Sequence, residues 1–159
     1  MKPLLYMETS IVSYLTARPS RDLLTAARQT WTREWWEVAF AHWEISISDL
    51  VVEEAGRGDP LAAARRLDTL QGLRWLPAGM DARILAAKLI EAGALPLTEP
   101  EDALHIAIAT VAEARYLVTW NFAHLVGPDA KWKLMDALRA FGKTPPLLTT
   151  PEELLETVP

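Results

Sequence analysis

Short apolar runs alternate with longer stretches of helical periodicity along this chain, and that alternation limits the fold more than any other feature. The runs are Leu4–Met7, Ile45–Ile47, Leu73–Leu76, Tyr116–Thr119 and Leu147–Leu148, the third and the last being the weakest. Buried strands separated by helices assemble into a parallel sheet covered on both faces. The expected fold class is therefore α/β. No linker-like stretch, internal repeat or low-complexity segment interrupts the pattern, so residues 1–159 read as a single domain, long enough to bury a sizeable core.

Several helix boundaries have local causes. Asp59-Pro60 places a cap and a first-turn proline before a helix running to Leu70. Asp81 is expected to cap a helix to Glu91, with Gly93 as its stop. Thr98 and Glu101 have capping-box spacing ahead of Ala103-Leu104-His105-Ile106-Ala107-Ile108-Ala109. That helix is apolar nearly all round, which predicts a central, buried position. Pro19–His42 reads as one or two helices of mixed character carrying Trp31, Trp35 and Trp36, with Trp43 just beyond.

Composition narrows the function classes. Without cysteine there are no disulfides and no thiolate metal sites, in keeping with a reducing, cytoplasmic setting. No apolar stretch approaches the length needed to span a bilayer, and the N-terminus has no signal-peptide layout. The net charge of −5 argues against a broad nucleic-acid surface, yet Arg18, Arg21, Arg28 and Arg33 lie close together and can form a local basic patch.

Polar residues with chemical potential fall at the strand-to-helix junctions. Glu8 follows the first apolar run at once, where an open α/β sheet binds ligands; the plainer alternative is a solvated acid capping the next helix. Ile45-Ser46-Ile47-Ser48 leads into Asp49-Leu50-Val51-Val52-Glu53-Glu54, whose two glutamates point about 100° apart on a helix, so one can face the sheet edge while the other faces solvent. Asp102 lies in the first turn of the buried helix, and Asn121 follows the Tyr116–Thr119 run. Carboxylates gathered at one edge repel one another, and a divalent cation relieves the conflict. Oxygen ligands without cysteine suit Mg²⁺ or Mn²⁺. Taken singly, Glu53, Glu54 and Asp102 read as ordinary surface or capping acids; their weight comes from convergence. His105 reads first as a half-buried structural residue, and His42 and His124 have no ligand spacing with another histidine.

The ordered set Met7-Glu8-Thr9-Ser10, Ser48–Glu54 with Gly58, Glu101-Asp102-Ala103-Leu104-His105-Ile106-Ala107 and Thr119-Trp120-Asn121 resembles a PIN domain, and more narrowly the VapC toxins of type II toxin–antitoxin systems. The resemblance extends from about residue 3 to residue 148. It implies a three-layer α/β/α sandwich with a central, mainly parallel sheet. It also implies a metal-dependent endoribonuclease that hydrolyses RNA phosphodiesters with a metal-activated water. Glu8, Glu54 and Asp102 match the family's acids and would hold Mg²⁺ or Mn²⁺; Asn121 stands where many members have a fourth acid. Two departures stand out: Glu8 replaces the usual aspartate on a longer arm, and Asn121 removes a charge.

On this reading Glu8, Glu54, Asp102 and Asn121 are the catalytic set, and Thr9, Ser10, Arg18, Arg21 and Thr119 contact the RNA. The implied partners are a VapB-like antitoxin and a second copy in a homodimer. Trp31 and Trp35 share a helix face, which serves either the core or such a partner groove. The alternative function is a catalytically weakened PIN-fold binding protein acting through an antitoxin or another protein. A phosphatase of another doubly wound fold fits less well, because the first strand ends in glutamate and no paired aspartates follow.

Overall fold

A computed structural model describes residues 1–95, 99–122 and 128–159. Thr98 and His124 lie outside the described residues. In chain order the elements are β1 (Leu4–Met7), α1 (Thr9–Thr16), α2 (Leu23–His42), β2 (Glu44–Ser48), α3 (Asp49–Ala55), α4 (Pro60–Leu70), β3 (Arg74–Leu76), α5 (Met80–Glu91), α6 (Pro100–Val111), β4 (Tyr116–Val118), α7 (Pro128–Ala140), β5 (Leu147–Thr149) and α8 (Pro151–Leu155). All five expected strands form, the two weak ones included. They pair in parallel in the order β3-β2-β1-β4-β5.

That order puts β1 in the middle and reverses the direction of strand addition between β1 and β4. Crossovers are right-handed, so α1 to α4, which step from β1 towards β3, cover one face, and α7, which steps from β4 to β5, covers the other. The packing agrees. α1 touches α2, α3 and α4, and α8 joins α2, whereas α5 packs on α6 and α7. The expected sandwich of helices on both faces of a parallel sheet is thus the observed architecture.

The helix limits follow local chemistry, with two corrections. Asp59 accepts from Ala62 N and Pro60 opens α4, as its sequence requires. At α5 the N-cap is Gly79 and Asp81 sits inside the first turn, because the helix starts two residues earlier than an Asp81 cap allows. At α6 the N-cap is Glu99, with Pro100 at the first position and no side-chain cap bond; Thr98, the other half of the expected capping box, lies outside the described residues. Glu101 pairs with Arg57, at 3.0 Å. Gly93, with φ +72°, ends α5 as expected.

The core is built from β1, β4 and α6. Leu5, Tyr6, Met7, Leu117 and Val118 are fully buried, as are Ala103 and Ile106–Ala109. Pro19–His42 contains one helix, α2, and Trp35 on it is 0% exposed, packed against Trp36 and Trp43. Of the two uses open for the Trp31–Trp35 face, Trp35 serves the core. Trp31 stacks on Trp120 at 6.1 Å. Among the described residues no helix is long and apolar enough to cross a membrane.

Removing buried methylenes from α6 leaves a cavity under the sheet. Ile106→Ala is therefore expected to cost about 2–5 kcal/mol, and Leu61→Ser on the exposed side of α4 less than about 0.5 kcal/mol, both read from urea denaturation.

Candidate functional site

The reversal between β1 and β4 opens a crevice at the carboxyl ends of those two strands, the place where doubly wound sheets bind ligands. The register brings Met7 opposite Val118, and Glu8 N donates to Val118 O at 3.1 Å. The next residue on each strand therefore meets at the edge: Glu8 from β1, and Thr119 with Asn121 from β4.

Glu8 is both a cap and a buried charge. It is the N-cap of α1, accepting from Ser10 N at 3.0 Å, yet it is only 2% exposed. Ser10 Oγ and Thr119 Oγ1 both donate to Oε1, at 2.5 and 2.6 Å, and Asn121 Nδ2 approaches Oε2 at 3.4 Å. Four donors answer one carboxylate, which offsets the cost of burying it. The donors are themselves fixed: Ser10 Oγ accepts from Trp120 N, and Thr119 Oγ1 accepts from Asn121 N, each at 2.9 Å.

Glu54 arrives from the neighbouring strand. Ser48 ends β2 and caps α3 through Val51 N, and the helix carries Glu54 back over the sheet edge. Its partner in sequence, Glu53, points to solvent and pairs with Arg57 at 3.4 Å, so the two glutamates divide as their helical angle predicts. Glu54 Oε1 accepts from Thr9 Oγ1 at 2.5 Å and from His105 Nε2 at 2.6 Å. Burial works against its charge, but the His105 hydrogen bond, the Glu101 side chain, the electrostatics of His105 and the Thr9 hydrogen bond outweigh it and bring its pKa down to about 2. Burial also pushes the Tyr6 phenol far above its usual range.

Asp102 sits half-buried in the first turn of α6. Burial, followed by the negative charge of Glu99, raises its pKa to about 7, with Glu8 and Glu54 adding to the rise and His105 opposing it. Three carboxylates thus share one field, and the third resists ionising. A donor set of oxygen anions with excess negative charge fits a hard divalent cation. Glu8, Glu54 and Asp102 would hold it. Glu8, Glu54 and His105 also present ligand atoms within 4.8 Å of one another.

Glu8 and Glu54 border a cleft of about 290 Å³ lined also by Thr9, Ser10, Ser13, Tyr14, Arg57 and Asn121; Asp102 is coupled to them electrostatically but is not among the lining residues. A larger cleft of about 430 Å³, among Asp49, Ala86, Ile90 and Leu104, contains none of the three acids; convergence of polar groups, not size, identifies the site. The residues expected to contact substrate divide. Thr9 and Ser10 line the cleft, but their hydroxyls, like that of Thr119, donate to the carboxylates. Arg18 and Arg21 are exposed and do not line it.

Sequence reasoning missed Arg57 at the cleft. Arg28, expected only as part of a local basic patch, has its guanidinium 5.3 Å from the centre of the Trp120 ring in an adjoining cleft of about 310 Å³ shared with Thr119 and Asn121. Arg57 stands three residues after Glu54 on the same helical exit, a spacing that could have flagged it; Arg28 reaches the site only through the tertiary fold.

The sheet order and the acids at its reversal point define a PIN-like α/β protein, the fold that the sequence resemblance implies. Among solved structures, the chain is similar to one described as VapBC2 from Rickettsia felis bound to a DNA fragment from its promoter. The TM-score is 0.57, with 92% of this chain and 98% of that chain covered, at 17% identity. At that identity the likeness is one of fold. No protein-family model matches the chain, and no curated protein matches its sequence.

The raised carboxyl gives a pH signature. A group that keeps its proton longer in the folded state than at its ordinary value of 3.8 makes the fold less stable as pH climbs towards its folded pKa of about 7. Asp102→Asn cannot ionise. Without divalent metal, its stability relative to the parent should rise from about pH 4 to about pH 8. Chemical denaturation across that range reads the difference, and a pH-independent gap would contradict the assignment.

Proposed function

We propose that this chain is a metal-dependent endoribonuclease of the toxin type, using Mg²⁺ or Mn²⁺ held by Glu8, Glu54 and Asp102 to hydrolyse RNA phosphodiesters. The observation that carries the reading is the pair of carboxylates, Glu8 and Glu54, brought together with His105 at the sheet edge, with Asp102 of α6 in their field and its pKa raised by burial and then by the charges of Glu99, Glu8 and Glu54. When bound, such an ion supplies Lewis acidity to a phosphate oxygen and acidifies water.

The residues around it have separable tasks. Glu8 and Glu54 are held in fixed rotamers by Ser10, Thr119, Thr9 and His105. Asp102, its pKa raised to about 7, would hold such an ion in its ionised form. Asn121 presents an amide at the cleft, able to donate to a phosphate oxygen. Arg57, at the cleft wall, and Arg28, in the adjoining cleft, offer cationic seats for the RNA backbone on either side. The Rickettsia protein's VapBC description supports a VapB-like antitoxin as the partner of this chain. A homodimer follows from the family resemblance.

One observation favours the second reading, a PIN-fold binding protein with weakened catalysis. The Glu8 carboxylate already accepts four hydrogen bonds from the chain, so it is satisfied without an ion. Calorimetry with Mn²⁺ separates the two readings.

The nuclease reading predicts cleavage of single-stranded RNA with added Mn²⁺ or Mg²⁺. It also predicts at least a ~100-fold loss of rate in Asp102→Asn, on the scale of losing a main electrostatic group. Asn121→Asp adds a charged ligand and should tighten Mn²⁺ binding. An Asp102→Asn variant that cuts as fast as the parent would overturn the assignment.

A further inference from the structure

A line of hydrogen bonds runs through the interior from the end of β2 to the acidic cleft. Val51 N donates to Ser48 Oγ at 3.4 Å. Ser48 Oγ lies 2.8 Å from the Tyr6 hydroxyl, which lies 2.7 Å from His105 Nδ1, and His105 Nε2 lies 2.6 Å from Glu54 Oε1. Ser48 and Tyr6 are fully buried and His105 is 1% exposed, so none can turn to solvent for a partner. By proximity alone His105 looks like a third metal ligand beside Glu8 and Glu54.

The directions of the hydrogens decide otherwise. Ser48 Oγ accepts from Val51, so its own hydrogen is available to Tyr6. Tyr6 then donates to a bare Nδ1, and the imidazole carries its single proton on Nε2, aimed at the carboxylate. Every donor and every acceptor is satisfied in this order. In the reverse order Tyr6 donates to Ser48 and Nδ1–H donates to Tyr6. The Ser48 hydrogen then has no acceptor in the chain of contacts. A neutral ring would also set a bare Nε2 against a carboxylate oxygen at 2.6 Å, two acceptors with no hydrogen between them.

We propose that Ser48 and Tyr6 are positioning residues that fix His105 as its Nε2–H tautomer, so that His105 serves the site as a donor holding Glu54 and not as a ligand. Thr9 supplies the second donor to the same oxygen at 2.5 Å, from the first residue of α1. Glu54 is thereby clamped between α1 and α6. The functional consequence rests on the cation reading of the cleft; the tautomer assignment stands apart from it.

The first test needs no variant and no activity. Long-range ¹H–¹⁵N NMR of the metal-free full chain should show His105 with Nε2 protonated and Nδ1 bare. The spectrum should keep that pattern when Mg²⁺ is added. An Nδ1–H tautomer, or loss of the Nε2 proton on adding Mg²⁺, would overturn the proposal.

The second test is Mn²⁺ affinity. Tyr6→Phe and His105→Leu should each lose about 10-fold or more. His105→Gln, which keeps a side-chain N–H near the Nε2 position, should stay within about 3-fold of the parent, a rescue that packing alone does not predict. Parent-like affinity in a folded His105→Leu or Tyr6→Phe chain would overturn the positioning role. A parent that shows the Nε2–H tautomer but binds no Mn²⁺ would overturn the cation reading, with the hydrogen-bond assignment confirmed separately.

Discussion

A carboxylate that is only 2% exposed at the end of the central strand sets the terms for everything around it. A buried charge survives only where donors reach it. Here Ser10 donates from the adjacent turn of α1, while Thr119 and Asn121, at the end of β4, are within reach only because β1 pairs with β4 in parallel, in register. The strand order, the Thr119–Asn121 turn and the start of α1 are one arrangement seen from three sides. Loss of the β1–β4 pairing would strip the Glu8 charge of its partners and dissolve the cleft with them.

The two well-held acids differ from the third, and the difference has chemical meaning. Glu8 and Glu54 are surrounded by hydrogen-bond donors. Asp102 stands in their field and is pushed up by burial and by like charge. On the cation reading, a site in which Glu54 is held ionised while Asp102 keeps its proton near neutrality would exchange that proton for a cation. The hydroxyls of Thr9, Ser10 and Thr119, which sequence reasoning gave to substrate, belong to this electrostatic frame instead. On the proposed nuclease reading, contact with an RNA backbone would then fall to Arg57, Arg28 and Asn121.

Much of the fold was legible because its cues are local. Short apolar runs, the Asp59-Pro60 start and the all-round apolar face of α6 each report on their own neighbourhood, and the structure follows them. Glu8 and Glu54 were legible as site acids through their junction positions and the family resemblance. The capping at α5 and α6 was not, because Gly79 and Glu99 take cap positions by backbone geometry without a side-chain bond. The role of His105 was illegible for a different reason. It depends on Tyr6 and Ser48, 99 and 57 residues away in sequence, and on which atom holds a hydrogen. Arg28 was legible as part of a basic patch, but its place against the Trp120 ring depends on how α2 packs.

The central claim is that Glu8, Glu54 and Asp102 form one cation site at the β1–β4 edge. Anomalous diffraction from crystals of the chain soaked in MnCl₂ tests it most directly. The predicted result is a manganese peak among these three carboxylates, weakened or absent in Asp102→Asn. Crystals that bind manganese elsewhere but show none at this edge would contradict it.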